Sequence, residues 1–179
     1  MPASNVVLGA HFEQSVLRVL SQTTGAELIL VGGARDRGVD LRGSWEALDC
    51  RLVIQCKYSL TNRICGPAVF RLMQHAIESE QKQHEHIVLG IVAAGAPLPG
   101  RRFSHEALFA LNSLPVPVMG LGFVAQPLAD VHLAQAVLNP PAMHLMALNQ
   151  VSLGQTPEKR FVFFRVRDGV FQPLRRTTE

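Results

Sequence analysis

Val39-Asp40-Leu41-Arg42-Gly43-Ser44-Trp45, the bridge Glu46-Ala47-Leu48-Asp49, and Cys50-Arg51-Leu52-Val53-Ile54-Gln55-Cys56-Lys57-Tyr58 form the stretch on which the fold turns. Both flanks read as strands, Val39 to Trp45 and Asp49 or Cys50 to Tyr58, rich in aliphatic and β-branched residues. In the second, period-two geometry puts Leu52, Ile54 and Cys56 on one face and Val53, Gln55 and Lys57 on the other. Asp40 enters its strand from a glycine-rich turn that includes Gly32, Gly33 and Gly38. With the two strands as antiparallel neighbours, one carboxylate, one amide oxygen and one ammonium converge at one end of a sheet.

That set is the minimum needed to hold a hard divalent cation and a water beside a phosphate. The expected metal is Mg²⁺ or Mn²⁺. Asp40 is the expected anchoring ligand, Gln55 a neutral oxygen ligand, and the Cys56 backbone carbonyl the completing one. Lys57 is expected to orient the attacking water and offset developing charge. A lysine on an otherwise apolar strand is costly unless it has a task or a partner.

Working outward, Leu8, Phe12, Val16, Val19 and Leu20 recur at helical spacing, so an amphipathic helix is expected over Val7 to Gln22, ended by Gly25. Glu27 to Val31 reads as a strand. A long helix from Pro67 to Gln83 is expected next, with proline in its first turn, and then a buried strand from Ile87 to Ala94. Ser104 suits the cap of a helix to Leu114. Val116 to Val124 reads as a strand, Leu128 to Leu138 as a helix closed by Asn139-Pro140-Pro141, and Arg160 to Leu174 as a hairpin turning at Asp168-Gly169. The expectation is an α/β domain over residues 1–150, a mixed central sheet flanked by helices in the order α-β-β-β-α-β-α-β. Residues 151–179 form a hairpin extension packed on it.

The 179 residues are 47% apolar and 17% charged, which excludes intrinsic disorder and leaves enough apolar surface for a real core. No apolar run approaches the roughly 20 residues that span a bilayer, so no membrane partner is expected. Three cysteines, Cys50, Cys56 and Cys65, without a CxxC pair, predict neither a disulfide framework nor a zinc knuckle. Gly32-Gly33 has no GxGxxG or Walker lysine after it, so no nucleotide cofactor is expected. His84-Glu85-His86 lacks a third ligand nearby and reads as a helix-to-strand junction. The first five residues have neither a signal peptide's apolar region nor a transit peptide's arginine-rich stretch.

Gly32-Gly33-x-x-Asp36-x-Gly38-Val39-Asp40-Leu41 followed by Gln55-x-Lys57 resembles the PD-(D/E)xK restriction-endonuclease-like superfamily, in particular its Mrr-like branch, where glutamine replaces the usual acid. The early Gly9-x-x-Phe12-Glu13 fits the same pattern, and the resemblance implies a restriction-endonuclease-like core with Glu13 as a metal ligand, direct or through water. Arg42-Gly43-Ser44-Trp45 looks most like mitochondrial restriction-endonuclease-like proteins of fungi required for respiratory growth. One departure lies in Phe70-Arg71-Leu72-Met73-Gln74, where related sequences carry an Arg-Glu-Leu-like stretch. Asp36 and Gln74 are auxiliary candidates.

The resemblance implies a Mg²⁺-dependent endodeoxyribonuclease, with DNA as partner and a role in mitochondrial DNA maintenance. The alternative is a catalytically inactive nuclease-fold protein that binds nucleic acid or acts as a scaffold. Net charge is +3, and Arg35, Arg37, Arg42, Arg101 and Arg102 are the candidate phosphate contacts. A homodimer is compatible with cutting both strands of a duplex. The resemblance implies the mitochondrial matrix, with a bacterial cytoplasm as the alternative location.

Overall fold

The computed structural model describes residues 4–32 and 38–174. Helix α1 (Asn5–Thr24) starts where the Ser4 hydroxyl accepts from the Val7 N–H and stops at Gly25, which takes the left-handed conformation glycine allows. Its Leu8, Phe12, Val16 and Leu20 form the buried stripe that the sequence spacing predicts.

Strands β1 (Glu27–Leu30), β2 (Leu41–Trp45) and β3 (Cys50–Tyr58) form an antiparallel meander. Helix α2 (Ala68–Gln81) then leads to β4 (Val88–Ala96), and α3 (His105–Asn112) leads to β5 (Val118–Ala125). Both β3–β4 and β4–β5 are parallel pairs, and the strands lie in sequence order. Two crossovers that step the same way with the usual right hand must leave both helices on one face. Accordingly α2 and α3 pack together over Val53, Val88, Val92 and Val118. All nine residues of β4 are buried, as a strand covered on both sides requires.

Two expectations for the second half of the chain need correction. Leu128 to Leu138 is not a helix; Val131–Leu138 is β6, an antiparallel sixth strand on β5. Val131 and Leu133 alternate into the core, and that pairing outweighs the helical propensity of its Ala, Leu and Gln residues. Asn139-Pro140-Pro141 opens a helix rather than closing one. The Asn139 side chain accepts from the Ala142 N–H and caps α4 (Pro140–Leu148), whose first turn tolerates proline. The extension is also more than a hairpin: β7 (Val151–Gln155) joins β8 (Phe161–Arg167) and β9 (Val170–Pro173) in a separate antiparallel sheet.

The result is a mixed α/β body with a six-stranded mixed sheet and four helices among the described residues. Helices α1 and α4 and the small sheet share the face opposite α2 and α3, around Phe12, Trp45, Leu121 and Phe123. Phe163 of β8 stands edge-on to Trp45 at 5.1 Å, and Arg165 donates to the Ala47 carbonyl at 2.8 Å, so the extension packs on this body. The Phe12 ring lies 5.3 Å from Tyr58 and 5.8 Å from Phe123.

Gly43 is the tightest point of the meander. A Cβ there would lie 1.8 Å from the Glu27 carbonyl oxygen, backbone that cannot rotate away. Gly43→Ala is therefore expected to lower stability by about 3 kcal/mol or more, read as a lower urea midpoint. Gly9→Ala on α1, where nothing lies within 4 Å, should raise it by about 0.5–1 kcal/mol. Equal midpoints for the two variants would contradict this picture of the sheet.

Candidate active site

The β2–β3 ladder runs from Trp45↔Cys50 to Leu41↔Ile54 and ends there. Just beyond, Asp40 is set irregularly. Its N–H donates to the Ile54 carbonyl of β3 at 2.8 Å, while its own carbonyl accepts from the Val31 N–H beyond β1 at 2.9 Å. In a regular strand both groups would point to one neighbour. Val39 and Leu41, two residues apart, pack on opposite faces of the sheet. This slip is the effect of a bulge, which re-aims the side chain at the strand's end.

The bulge aims the Asp40 carboxylate at the edge of β3, where its Oδ2 accepts from the Cys56 N–H at 2.6 Å. Since N–H and C=O of an extended residue turn to the same side, the Cys56 carbonyl also faces this edge. Glu13 approaches from α1. Burial, followed by the nearby Asp40 charge, raises the Glu13 carboxyl above its ordinary value. The Cys56 thiol is pushed well up by burial, by Asp40 and by Glu13, with Lys57 opposing. Two carboxylates thus share one corner with a strand-end peptide between them and the sheet.

Gln55 and Lys57 share the opposite face, as period two predicts. Gln55 is 5% exposed and its Oε1 has no hydrogen-bond partner among the described residues. An unsatisfied buried amide oxygen costs about 1–3 kcal/mol. Its Nε2 packs under Gly38: a Cβ on Gly38 would lie 2.7 Å from it, and Gly38 has φ +80. The positive φ favours glycine there. Lys57 is exposed, and its charge reaches both Cys56 and Cys65.

Glu13 and Asp40 therefore come to the end of β3 from one face, and Gln55 and Lys57 from the other, with the Cys56 peptide at the junction. Among the described residues, no three His, Cys, Asp or Glu side chains form a metal-holding group. A cation at this corner would rest on two carboxylates, an amide oxygen and a main-chain carbonyl.

Other sequence candidates have different positions. Arg42 lies against buried Glu80 of α2, Nε to Oε2 3.3 Å, and Arg51 joins the same carboxylate at 3.2 Å. Arg102 is 3% exposed and donates to the carbonyls of Phe123, Gly100, Ala96 and Leu98, tying the ends of β4 and β5 together. Arg42 thus pairs with a carboxylate while about a third exposed, and Arg102 is taken up by main-chain carbonyls. Arg101 stays exposed, its Nη1 2.8 Å from His105 Nε2. Gln74 donates to Glu78 within its own helix. Arg35, Arg37 and Asp36 lie outside the described residues.

Sequence reasoning missed that the Cys56 N–H, as well as its carbonyl, belongs to the site. No sequence signal marks it, because it depends on where the β2–β3 ladder stops. A groove of about 920 Å³ lies at the far end of the same strands, lined by Arg18, Gln22, Ile29, Ser44 and Arg51. Its position separates it from the carboxylate corner.

Residues 4–88 match the model of the family described as Required for respiratory growth protein 7. That segment runs from the cap of α1 to the first residue of β4, and contains Glu13, Asp40, Gln55, Cys56 and Lys57. It agrees with the narrower likeness drawn from Arg42 to Trp45. No curated protein and no solved structure matches the chain.

The crowded carboxylates give a pH dependence. Glu13 has a raised folded-state pKa, so its ionisation works against folding. Relative stability is complete below the ordinary glutamate value and falls as pH rises through the raised one. In EDTA, Glu13→Gln should remove that component of the fall and be the more stable protein at neutral pH. Urea titrations from pH 4 to 8 check this, and parallel curves for the two proteins would contradict it.

Proposed function

We propose that this chain is a metal-dependent endonuclease of the PD-(D/E)xK type that hydrolyses DNA phosphodiester bonds. The observation that carries the reading is the buried Gln55 Oε1, without a hydrogen-bond partner among the described residues, on a strand end whose other face meets the Asp40 and Glu13 carboxylates. A buried acceptor and two crowded anions are each relieved by a divalent cation. The meander β1–β2–β3 with parallel β4 and β5, and helices on both faces, supports a restriction-endonuclease-like core.

Asp40, Glu13, Gln55 Oε1 and the Cys56 carbonyl would hold Mg²⁺ or Mn²⁺. When bound, the cation supplies positive charge against the negative charge that gathers on a phosphodiester under attack. The residues of the chain do the rest. The Cys56 N–H holds the Asp40 carboxylate at the end of the strand. Gly38, lacking a Cβ, leaves room for the Gln55 amide. Lys57, exposed at the rim, donates to the attacking water and offsets charge on the phosphate oxygens.

The family description links residues 4–88 to respiratory growth. We read this chain as acting on DNA in the mitochondrion, in the matrix. The alternative, a nuclease-fold protein that binds nucleic acid without cutting it, draws on the absence of a three-residue metal group among the described residues.

With Mg²⁺ or Mn²⁺, purified protein should cut at least one of duplex, single-stranded, flapped or branched DNA. Asp40→Ala and Lys57→Ala should each lower the rate by about 100-fold or more, and EDTA should stop it. Cleavage that survives both substitutions would refute the assignment. Salt-dependent DNA binding without any cutting, indifferent to EDTA and to Asp40→Asn, would establish the binding alternative.

A further inference from the structure

The lead-in segments of α2 and α3 are stitched together at the end of the sheet where Lys57 emerges. Cys65 and Phe103 form a parallel bridge. The Cys65 N–H donates to the Arg102 carbonyl at 2.8 Å, and the Ser104 N–H to the Cys65 carbonyl at 3.0 Å. The two helices therefore start side by side. Lys57 and Arg63 both act on the Cys65 thiol, which puts these two cations at the same end.

Between the helices runs an open groove of about 480 Å³, lined by Pro67, Arg71, His105, Glu106, Phe109 and Ala110. Phe109 is 76% exposed, the largest exposure of any phenylalanine described, and it stacks on no other ring among the described residues. Arg71 and His105 are exposed on the groove walls, and Arg101 sits 2.8 Å from His105. Glu106 is the one acidic residue lining the groove, and its carboxylate is taken up by its own N–H and the Ser104 hydroxyl at the start of α3.

An exposed aromatic ring among cations suits a ligand with flat apolar faces on an anionic thread. Nucleic acid with unpaired bases has that chemistry: phosphates meet the arginines, and a base stacks on the ring. A duplex keeps its base faces covered. An acidic protein would use the cations and leave the ring idle.

We infer that the groove between α2 and α3 binds single-stranded DNA, with Phe109 as a stacking platform and Arg71 and Arg101 as phosphate contacts. That the bound strand continues to the Lys57 end for cutting rests on the nuclease reading above; the binding itself does not. The substrate class becomes DNA with an unpaired segment, such as a flap or a single strand.

The test is fluorescence anisotropy of a labelled oligothymidylate with the full chain in EDTA, beside a blunt duplex and heparin. Wild type should bind the single strand more tightly than the duplex. Phe109→Ala should weaken single-strand binding about five- to 100-fold, and Phe109→Trp should restore it. Arg101→Ala should reduce the salt slope by about one. Thermal midpoints should not move, since Phe109 supports no core. Single-strand binding that is indifferent to Phe109, or heparin binding as tight as the oligonucleotide, would overturn the inference. Asp40-dependent cutting with no role for Phe109 defeats the groove and leaves the nuclease. Phe109-dependent binding by a protein that never cuts does the reverse.

Discussion

Where the β2–β3 ladder ends, the Cys56 amide loses a cross-strand carbonyl and takes the Asp40 carboxylate in its place, at 2.6 Å. This one bond closes the open end of the β2–β3 pair beside the fully buried β4, and a bare amide there would be expensive. It also fixes a carboxylate beside Glu13 of α1 at the end of β3. Structure and chemistry thus make the same demand of Asp40. The bulge that splits its N–H and C=O between β3 and the chain beyond β1 is the cost of meeting it.

The organisation around that corner follows from burial. Right-handed parallel crossovers commit α2 and α3 to one face, so α1 must come from the other. Glu13 then meets Asp40 across the α1 face, while Gln55 and Lys57 look toward the α2 and α3 side. The buried Gln55 oxygen has no hydrogen-bond partner among the described residues. Burial and then the neighbouring Asp40 charge raise the Glu13 carboxyl above its ordinary value.

Much of this was legible in the residues. Period two along β3 separated Gln55 and Lys57 from Ile54 and Cys56, and helical spacing found Phe12 and Val16. Such patterns report burial, and burial decides both. Val131 to Leu138 misled because an edge strand in a covered sheet needs only Val131 and Leu133 to alternate inward, and its alanines suit either state. Asn139-Pro140-Pro141 carried a start signal as clear as any in the chain, but a helix imagined just before it made it read as a stop. Arg42 and Arg102 show a different limit. Their charge was visible, whereas Glu80 and the four carbonyls that hold them are brought near only by the completed sheet. The bulge at Asp40 leaves no mark in composition, because it is a consequence of where the ladder stops.

The central claim is that one divalent cation belongs at the end of β3. A crystal soaked in Mn²⁺ and measured for anomalous scattering tests it most directly. The account predicts one strong peak bound by the Asp40 carboxylate, Gln55 Oε1 and the Cys56 carbonyl, with Glu13 bound directly or through a water. A soaked crystal with no peak at that corner, or with manganese held only elsewhere, would contradict it.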